Sequence, residues 1–247
     1  MKEDIIYGLN PAMEALRGTR KAFELFIAGT SADKRLEKLL KLAAEKAVPV
    51  RHREKADLSK LCGNDHHQGV ALRVEGFAYA EFDAILDRCR DSGEKGLIIV
   101  LDGIQDPHNL GAIIRSAACA GAHGVIVPKD RAAGVTPTVE KASAGAVETI
   151  PVTQVTNIAQ TLEELKKAGF WIFGASDNAS ALLYQQDLTG ATVLVIGNEG
   201  EGIRPLVRKK CDAVFSIPMQ GGINSLNASV ATGIALFEAV RQRLKKS

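Results

Sequence analysis

Residues 97–127 read LIIVLDGIQDPHNLGAIIRSAACAGAHGVIV, and this stretch decides the fold class. Its first five residues are continuously apolar, which is typical of a parallel strand buried on both faces. A polar loop follows, then a helical stretch at 110–120 and a second apolar strand at 125–127. Strand, helix and strand in this order are typical of an α/β domain with a parallel sheet.

The alternation of strands and helices continues towards the end of the chain. Further strands are predicted at 171–174, 193–196 and 214–217. Further helices are predicted at 139–146, 158–168, 205–210 and 228–244. Upstream, a small mixed α/β unit is predicted, with helices at 11–17 and 31–47 and strands at 23–28, 48–51 and 69–74. We therefore expect a first domain at 1–75, a connector at 76–95 with a helix at 81–90, and a second domain at 96–247.

Composition and charge exclude some classes of protein. With 46% hydrophobic and 24% charged residues, the chain is neither disordered nor of low complexity. A net charge of +2 and 5% aromatic residues disfavour a generally cationic nucleic-acid binder and a base-stacking single-strand binder. The charge is uneven, however, because residues 1–75 carry +3 and residues 76–247 carry −1.

The basic residues are concentrated in one part of the first domain. Residues 17–60 hold 12 basic and 6 acidic side chains. Two interpretations remain open, a solvated helix face and a phosphate-binding patch. Arg51-His52-Arg53 and the pair His66-His67 would extend such a patch.

Location and metal binding follow from what the sequence lacks. No stretch approaches the roughly 20 apolar residues of a membrane span, and Met1–Asn10 does not resemble a leader, so we expect a cytoplasmic protein. No two of the four cysteines lie within three residues of each other, and we expect no metal site. Cys119 falls in an apolar helical run and is expected to be a small buried residue.

Polar residues follow the first apolar strand of the second domain. Asn109 lies near the start of a helix, and Arg115 follows six residues later among apolar neighbours. Ligands of α/β proteins bind where strands lead into helices. A guanidinium at such a place suits anion recognition, and an arginine that reaches to the surface is the alternative.

Two further segments interrupt apolar strand ends with glycines and polar residues. The first is GNEGEG at 197–202, whose spacing matches neither the dinucleotide fingerprint nor the P-loop. The second is IPMQGGINSLNAS at 217–229, which leads into the last helix. Its Ser225, Asn227 and Ser229 are all residues that cap helices, and a helix start also offers free N–H groups to a polar ligand.

Together these segments resemble the three motifs of the SpoU (TrmH) family of the SPOUT superfamily, which are S-adenosylmethionine-dependent RNA ribose 2′-O-methyltransferases. They stand in the family's order, as DPHNLGAIIR at 106–115, GNEGEG at 197–202 and SLNAS at 225–229. YGLNPAMEAL at 7–16 and HQGV at 67–70 also resemble the amino-terminal RNA-binding domain of the 23S rRNA guanosine branch. The resemblance covers nearly the whole chain, and Ala228 stands where many members carry Val.

The resemblance implies an α/β fold in which a parallel-sheet domain with a trefoil knot of the SPOUT type follows a small mixed α/β RNA-binding domain like ribosomal protein L30e. It also implies a homodimer and S-adenosylmethionine as the cofactor. The positions that match the family's cofactor-binding loops are Ala175, Gly197, Ile217, Met219 and Leu226.

The catalytic positions that the resemblance implies are Arg115, Asn109, Glu199, Ser225 and Asn227. Arginine stays protonated in proteins, so we expect Arg115 to grip the target phosphate and stabilise the developing alkoxide rather than to act as a base. Asn109 would orient the ribose or Arg115, and Glu199 would hold the loop. Ser225 and Asn227 would shape the pocket for cofactor and target.

The implied reaction is methyl transfer to the ribose 2′-hydroxyl of a guanosine in 23S rRNA. Another rRNA or tRNA nucleotide is an alternative target. A member that only binds RNA would show gaps in the three motifs, and none is visible. A nucleotide-dependent oxidoreductase is disfavoured because the dinucleotide fingerprint is missing.

Overall fold

The computed structural model describes residues 3–29, 34–198, 200–221 and 225–244. The strands are β1 (Glu3–Tyr7), β2 (Ala22–Ala28), β3 (Val50–Arg53), β4 (Val70–Glu75), β5 (Leu97–Asp102), β6 (Gly124–Pro128), β7 (Val152–Val155), β8 (Trp171–Ala175), β9 (Thr192–Gly197) and β10 (Ala213–Phe215). The helices are α1 (Leu9–Arg17), α2 (Lys34–Glu45), α3 (Lys55–Cys62), α4 (Phe82–Asp91), α5 (Pro107–Cys119), α6 (Pro137–Ala142), α7 (Ile158–Lys167), α8 (Pro205–Arg208) and α9 (Ala228–Leu244).

The chain forms two compact units. Unit 1 comprises Met1–Ala78 and Val135–Thr149, and unit 2 comprises Tyr79–Gly134 and Ile150–Ser247. This division differs from the expected one in two respects. Residues 135–149 join unit 1, and the expected connector holds α4, which is part of unit 2.

Unit 1 is built on a four-stranded sheet with the order β1-β4-β2-β3, in which only β2 and β3 are parallel. Because side chains alternate along a strand, the sheet has two faces. On one face Leu25 packs with Leu16 of α1 and Leu39 of α2. On the other face Phe26 packs with Leu58 of α3. β3 lies at the edge of the sheet, and all four of its residues are exposed.

Buried ion pairs hold residues 135–149 within unit 1. The Nη1 atom of Arg20 lies 2.6 Å from Oε1 of Glu140 and 2.7 Å from Oε1 of Glu148. Nε and Nη2 of the same guanidinium donate hydrogen bonds to the main-chain carbonyl of Glu75. One arginine thus ties this segment to the end of β4, and the pairs join residues more than a hundred positions apart in sequence.

Glu140 is the most deeply buried carboxylate of this cluster. It is 1% exposed, and within the described part of the chain its Oε2 atom has no hydrogen-bond partner. Burial raises the pKa of Glu140 to about 7, and Arg20 opposes that shift. Glu148 and Asp4 raise it further, because they are like charges nearby.

Unit 2 contains the parallel sheet that the sequence predicts. Its strand order is β10-β8-β9-β5-β6-β7, and every neighbouring pair is parallel. No residue of β5 or β9 is exposed, which explains their continuously apolar sequences. Ile85 of α4 packs into the same core, and a side chain at Gly124 would collide with it.

Several predictions for single elements need correction. Three observed elements, β1, α3 and β7, are absent from the predicted set. Cys119 is exposed at the last residue of α5, so the expectation that it is buried is wrong. Burial raises the pKa of the other three thiols, at Cys62, Cys89 and Cys211, to about 11. Burial thus disfavours the thiolate form at these three positions.

The described residues form neither a membrane-spanning helix nor a cluster of metal ligands. None of the helices there combines the length and the apolar character that crossing a membrane requires. In the same part of the chain, no three His, Cys, Asp or Glu side chains lie together as a metal ion would need.

Candidate functional site

A cavity of about 300 Å³ opens in unit 2 at the carboxyl ends of three neighbouring parallel strands. Such an edge is where α/β proteins bind ligands. Ala175 is the last residue of β8 and Gly197 the last residue of β9. All five residues predicted to contact the cofactor line this cavity, namely Ala175, Gly197, Ile217, Met219 and Leu226.

The glycine-rich loop after β9 is shaped by close contacts within its own backbone. A Cβ atom at Gly197 would overlap the carbonyl group of Gly202 and the amide nitrogen of Ile203, so only glycine fits there. Gly202 has a positive φ of 67°, which favours glycine. The loop therefore needs these glycines for its geometry, and it forms one wall of the cavity.

Asn198 organises this loop, a role that its position in the GNEGEG segment did not indicate. Its Oδ1 atom accepts hydrogen bonds from the amides of Gly200 at 3.0 Å and Glu201 at 2.6 Å. Its main-chain carbonyl accepts from the amide of Gly202 at 3.1 Å. Asn is a common organiser of such turns. Glu199, the predicted loop anchor, lies outside the described residues.

A buried carboxylate fixes the far end of the same loop. Asp102, the last residue of β5, is completely buried. Its Oδ2 atom accepts from the amide of Arg204 at 2.8 Å, and its Oδ1 atom accepts from Nε of that residue at 2.7 Å. The charge on Asp102 is thus paired and hydrogen-bonded, as burial requires. In the sequence, only the place of Asp102 at the end of an apolar strand could have indicated this role.

The polar wall of the cavity contains a cation that sequence reasoning did not find. Arg208 of α8 lines the cavity, and its Nη1 atom donates to Oγ of Ser176 over 2.5 Å. Asp177 and Glu201 line the same space. Among the described lining residues, Arg208 is the one cationic side chain. No motif marks it in the sequence, because only the fold brings α8 and the end of β8 together.

The structure separates the predicted catalytic residues: Asn109 and Asn227 contact each other, Ser225 lines the cavity, and Arg115 does not line it. Asn227 donates from Nδ2 to Oδ1 of Asn109, which is largely buried in the first turn of α5. Ser225 lines the cavity. Arg115 lies on α5, exposed, and the described lining residues do not include it. The structure therefore joins the first and third motifs through two asparagines and leaves Arg115 open to an approaching partner.

Both asparagines lie at helix starts, Asn109 in the first turn of α5 and Asn227 directly before α9. Asp106 caps α5, because Oδ1 accepts from the amide of His108 at 2.8 Å, and Pro107 occupies the first helical position. Oδ1 of Asn227 accepts from the amide of Ser229 at 2.9 Å at the start of α9. The amide of Asn227 holds the helix start with its oxygen and Asn109 with its nitrogen.

His67 cannot extend a basic patch as expected. It is completely buried in unit 1, where Nδ1 accepts from the amide of Gly69 at 3.0 Å and Nε2 lies 3.1 Å from Oγ of Ser59. A proton on Nε2 therefore faces the hydroxyl. Burial lowers the pKa of His67 and so favours the neutral ring. His66 is exposed.

Comparisons with known proteins agree with the arrangement of the motifs. Residues 96–237 match the model of the SpoU rRNA Methylase family, and residues 5–80 match that of the RNA 2′-O ribose methyltransferase substrate-binding domain. The chain is 44% identical over 246 residues to the 23S rRNA (guanosine-2′-O-)-methyltransferase RlmB of Ralstonia nicotianae, covering 98% of this chain and 97% of that protein. It is 45% identical over 243 residues to RlmB of Pectobacterium atrosepticum, covering 97% and 98%.

A solved structure supports the same conclusion for the fold. The SpoU methyltransferase AviRb from Streptomyces viridochromogenes, in complex with the cofactor AdoMet, is similar with a TM-score of 0.82 and 29% identity. The match covers 98% of this chain and 91% of that one.

Proposed function

Because the chain belongs to the SpoU rRNA methylase family, we propose that it transfers the methyl group of S-adenosylmethionine to the ribose 2′-hydroxyl of a guanosine in 23S rRNA. Two RlmB relatives that match along almost their whole length carry this activity in their names. The observation that carries the proposal is the cavity at the strand ends, which residues of the second and third motifs line together.

The cavity fits S-adenosylmethionine in size and in chemistry. Its volume of about 300 Å³ is within the range of small-molecule sites. Ile196, Ile217 and Leu226 offer apolar contacts for an adenine ring. Asp177 and Glu201 offer carboxylates to the positive groups of the cofactor.

Arg208 would hold the carboxylate of the methionine portion. A guanidinium binds a carboxylate through two parallel hydrogen bonds, which gives both affinity and orientation. The hydrogen bond to Ser176 fixes the direction of the Arg208 side chain before any ligand arrives. This arrangement supports a role for Arg208 in choosing ligands that carry a carboxylate.

When bound, S-adenosylmethionine supplies an electrophilic methyl group with a good leaving group, so the protein's tasks are alignment and stabilisation of charge on the ribose oxygen. Exposed Arg115 would grip the phosphate of the target nucleotide and stabilise the developing alkoxide, while the proton passes to phosphate or water. Asn109 and Asn227, which are hydrogen-bonded to each other, would position the ribose beside it. Glu199 and Ser225 would complete the loop and the pocket.

The two units would divide the work between RNA binding and chemistry. Unit 1, which holds residues 1–75 together with 135–149, would be the RNA anchor. Unit 2, which holds α4 and the rest of 96–247, would be the cofactor-binding domain. The match of residues 5–80 to a substrate-binding model supports the first assignment. The mixed four-stranded sheet with helices on both faces is compatible with the fold of ribosomal protein L30e.

A trefoil knot in unit 2 is part of the proposal. Strand β9 is inserted between β5 and β8, both of which precede it in the chain. After β10, at the edge of the sheet, the chain leads to α9, which packs against α5 and β9. This path favours a knotted arrangement of the carboxyl-terminal segment.

We also propose a homodimer in the cytoplasm, where ribosomal RNA is found. Val230, Phe237 and Leu244 are exposed on α9 at intervals of seven residues, which places them along one side of the helix. An apolar stripe of this kind is typical of an interface. Sedimentation equilibrium at micromolar concentration tests the dimer, and a purely monomeric protein would exclude it.

The direct test in cells is mapping of ribose methylation in 23S rRNA and tRNA from a strain that lacks the gene. We expect one 2′-O-methylguanosine of 23S rRNA to disappear and to return with the wild-type gene. Loss of a tRNA methylation instead would overturn the proposed target. Calorimetry with S-adenosylmethionine and with NAD separates a methyltransferase from an oxidoreductase.

A further inference from the structure

The edge of the unit 1 sheet carries a cluster of arginines that the proposed chemistry does not use. Arg51 and Arg53 stand on β3, two residues apart, and therefore point to the same face of the sheet. Arg73 stands on β4, where it pairs in register with Glu24 of β2. Phe26 on β2 pairs in register with Arg51 on β3. The side chains of the three arginines, Glu24 and Phe26 therefore share one face of the sheet. We call Arg51, Arg53 and Arg73 the arginine edge.

The arginine edge is held in place by two central side chains. Glu24 binds Nε of Arg51 and, at 2.6 Å, Nη2 of Arg73. The guanidinium of Arg53 lies 6.0 Å and that of Arg73 lies 5.5 Å from the centre of the Phe26 ring. Both distances are typical of a cation–π interaction. The three guanidiniums are therefore pre-oriented, which lowers the entropy lost when they bind a partner.

The charge of the arginine edge exceeds what Glu24 neutralises. Within the cluster itself, three guanidiniums face the single carboxylate of Glu24, which leaves a local net charge of +2. Glu3 and Glu75 lie on the same face, farther from β3. The side chain of Arg51 remains 63% exposed and that of Arg73 38% exposed, so both can reach a further anion. Lys55 and Lys60 of the adjoining α3 are exposed too, beside exposed Glu54 and Asp57. The excess positive charge therefore comes from the three arginines, which extend from the edge strand β3 across β2 to β4.

We infer that the arginine edge binds the phosphate backbone of the substrate RNA. Guanidiniums match phosphate oxygens through two parallel hydrogen bonds, and RNA presents phosphates in rows. Addition of a peptide strand to β3 is disfavoured, because charged side chains on a short edge strand resist pairing. Because contacts are to the backbone, the edge supplies affinity and position, while the choice of nucleotide is made elsewhere. The inference rests on the proposed role of unit 1 as the RNA anchor.

The structure offers a matched control on the opposite face of the same sheet. Lys38 and Lys41 are exposed on α2, which covers the face away from Phe26. The variants R51Q/R53Q and K38Q/K41Q both lower the net charge by two. A general effect of charge would weaken RNA binding equally in both variants, whereas loss of a local binding site would weaken it only in R51Q/R53Q.

The test is binding of the full-length protein to transcribed 23S rRNA over a series of KCl concentrations. For R51Q/R53Q we expect about tenfold weaker binding at 0.15 M salt. The logarithm of the association constant falls with the logarithm of the salt concentration, and this slope should become shallower by about 1.4 to 1.8. Each lost phosphate contact removes roughly 0.7 to 0.9 from its magnitude. K38Q/K41Q should match the wild type, and both variants should bind S-adenosylhomocysteine normally.

The possible outcomes separate this inference from the proposed function. If the wild type does not bind the transcript, the RNA-anchor role itself fails. If the wild type and R51Q/R53Q bind alike, or both double variants weaken equally, the arginine edge is not the binding surface. If loss of the pair with Glu24 unfolds R51Q/R53Q, Arg53→Gln alone decides, because no ion pair of Arg53 occurs among the described residues. For Arg53→Gln alone, we expect about half of the change in slope that is expected for R51Q/R53Q.

Discussion

Asn227 donates a hydrogen bond from Nδ2 to Oδ1 of Asn109 over 2.9 Å, and this contact joins the starts of α9 and α5. The same Asn227 side chain accepts from the first turn of α9 with its oxygen. Each end of the amide therefore has a separate task, one for helix capping and one for the contact between motifs. The two tasks can be separated by substitution.

Replacing Asn227 with Asp keeps the capping oxygen but removes the donor to Asn109. We expect Asn227→Asp to lie within about 1 kcal/mol of the wild type in free energy of unfolding, because Asp caps helices as well as Asn does. Asn227→Ala should lose about 1 to 2 kcal/mol. Methyl transfer should fall in both variants. Normal activity of Asn227→Asp would show that the contact with Asn109 has no part in the reaction.

Gly197→Ala should disrupt the loop after β9, because the new methyl group would overlap the backbone of Gly202 and Ile203. We expect a loss of roughly 3 kcal/mol or more in free energy of unfolding, and no binding of S-adenosylhomocysteine. Gly190→Ala is the control, since nothing lies within 4 Å of a Cβ atom at that position. Denaturant titrations and calorimetry compare the two. A stable Gly197→Ala variant that binds normally would contradict the close approach.

Arg208→Gln should weaken binding of ligands that carry a carboxylate and spare those that do not. We expect the affinity for S-adenosylhomocysteine to fall by about tenfold or more, as for loss of a charge-assisted hydrogen bond. The affinity for its decarboxylated analogue should stay unchanged. Arg90→Gln, at an exposed position of α4, controls for loss of a positive charge. Equal losses for both ligands would remove the carboxylate role of Arg208.

Glu140 should make the stability of the protein depend on pH. Its pKa is about 7 in the fold and 4.5 as the reference value, so the folded state holds the proton more tightly. The stabilisation is fully present below pH 4.5 and is lost as the pH rises through 7, a change of about 3 kcal/mol at most. In denaturant titrations from pH 5 to 8, the free energy of unfolding should decline less with pH for Glu140→Gln than for the wild type. Glu45→Gln, at an exposed position, is the control. A decline as steep in Glu140→Gln as in the wild type would show that Glu140 is not the titrating group.

Continuous burial made the core of unit 2 readable from the sequence. The strands at Leu97–Asp102 and Thr192–Gly197 are buried on both faces, so their apolar runs were visible without a partner. The glycines at 197–202 likewise pointed to a loop with special geometry. All the predicted cofactor contacts fall in one cavity because they follow the ends of neighbouring strands.

Features that depend on distant contacts were not readable. The helix at Pro137–Ala142 belongs to unit 1 through the ion pairs of Arg20, which no local pattern announces. Arg208 reaches the cavity only because α8 folds against the end of β8. Cys119 has apolar neighbours in sequence, yet it lies at the exposed end of its helix.

The most direct test is single-turnover methyl transfer from S-adenosylmethionine to transcribed 23S rRNA, with mass spectrometry of the product nucleosides. For the wild type we expect the methyl group on the ribose 2′-oxygen of one guanosine. Arg115→Ala should react about a hundredfold more slowly or worse while binding S-adenosylhomocysteine normally, because Arg115 is exposed and does not line the cavity. A methyl group on a base, no transfer by the wild type, or near-normal transfer by Arg115→Ala would each contradict the proposed reaction.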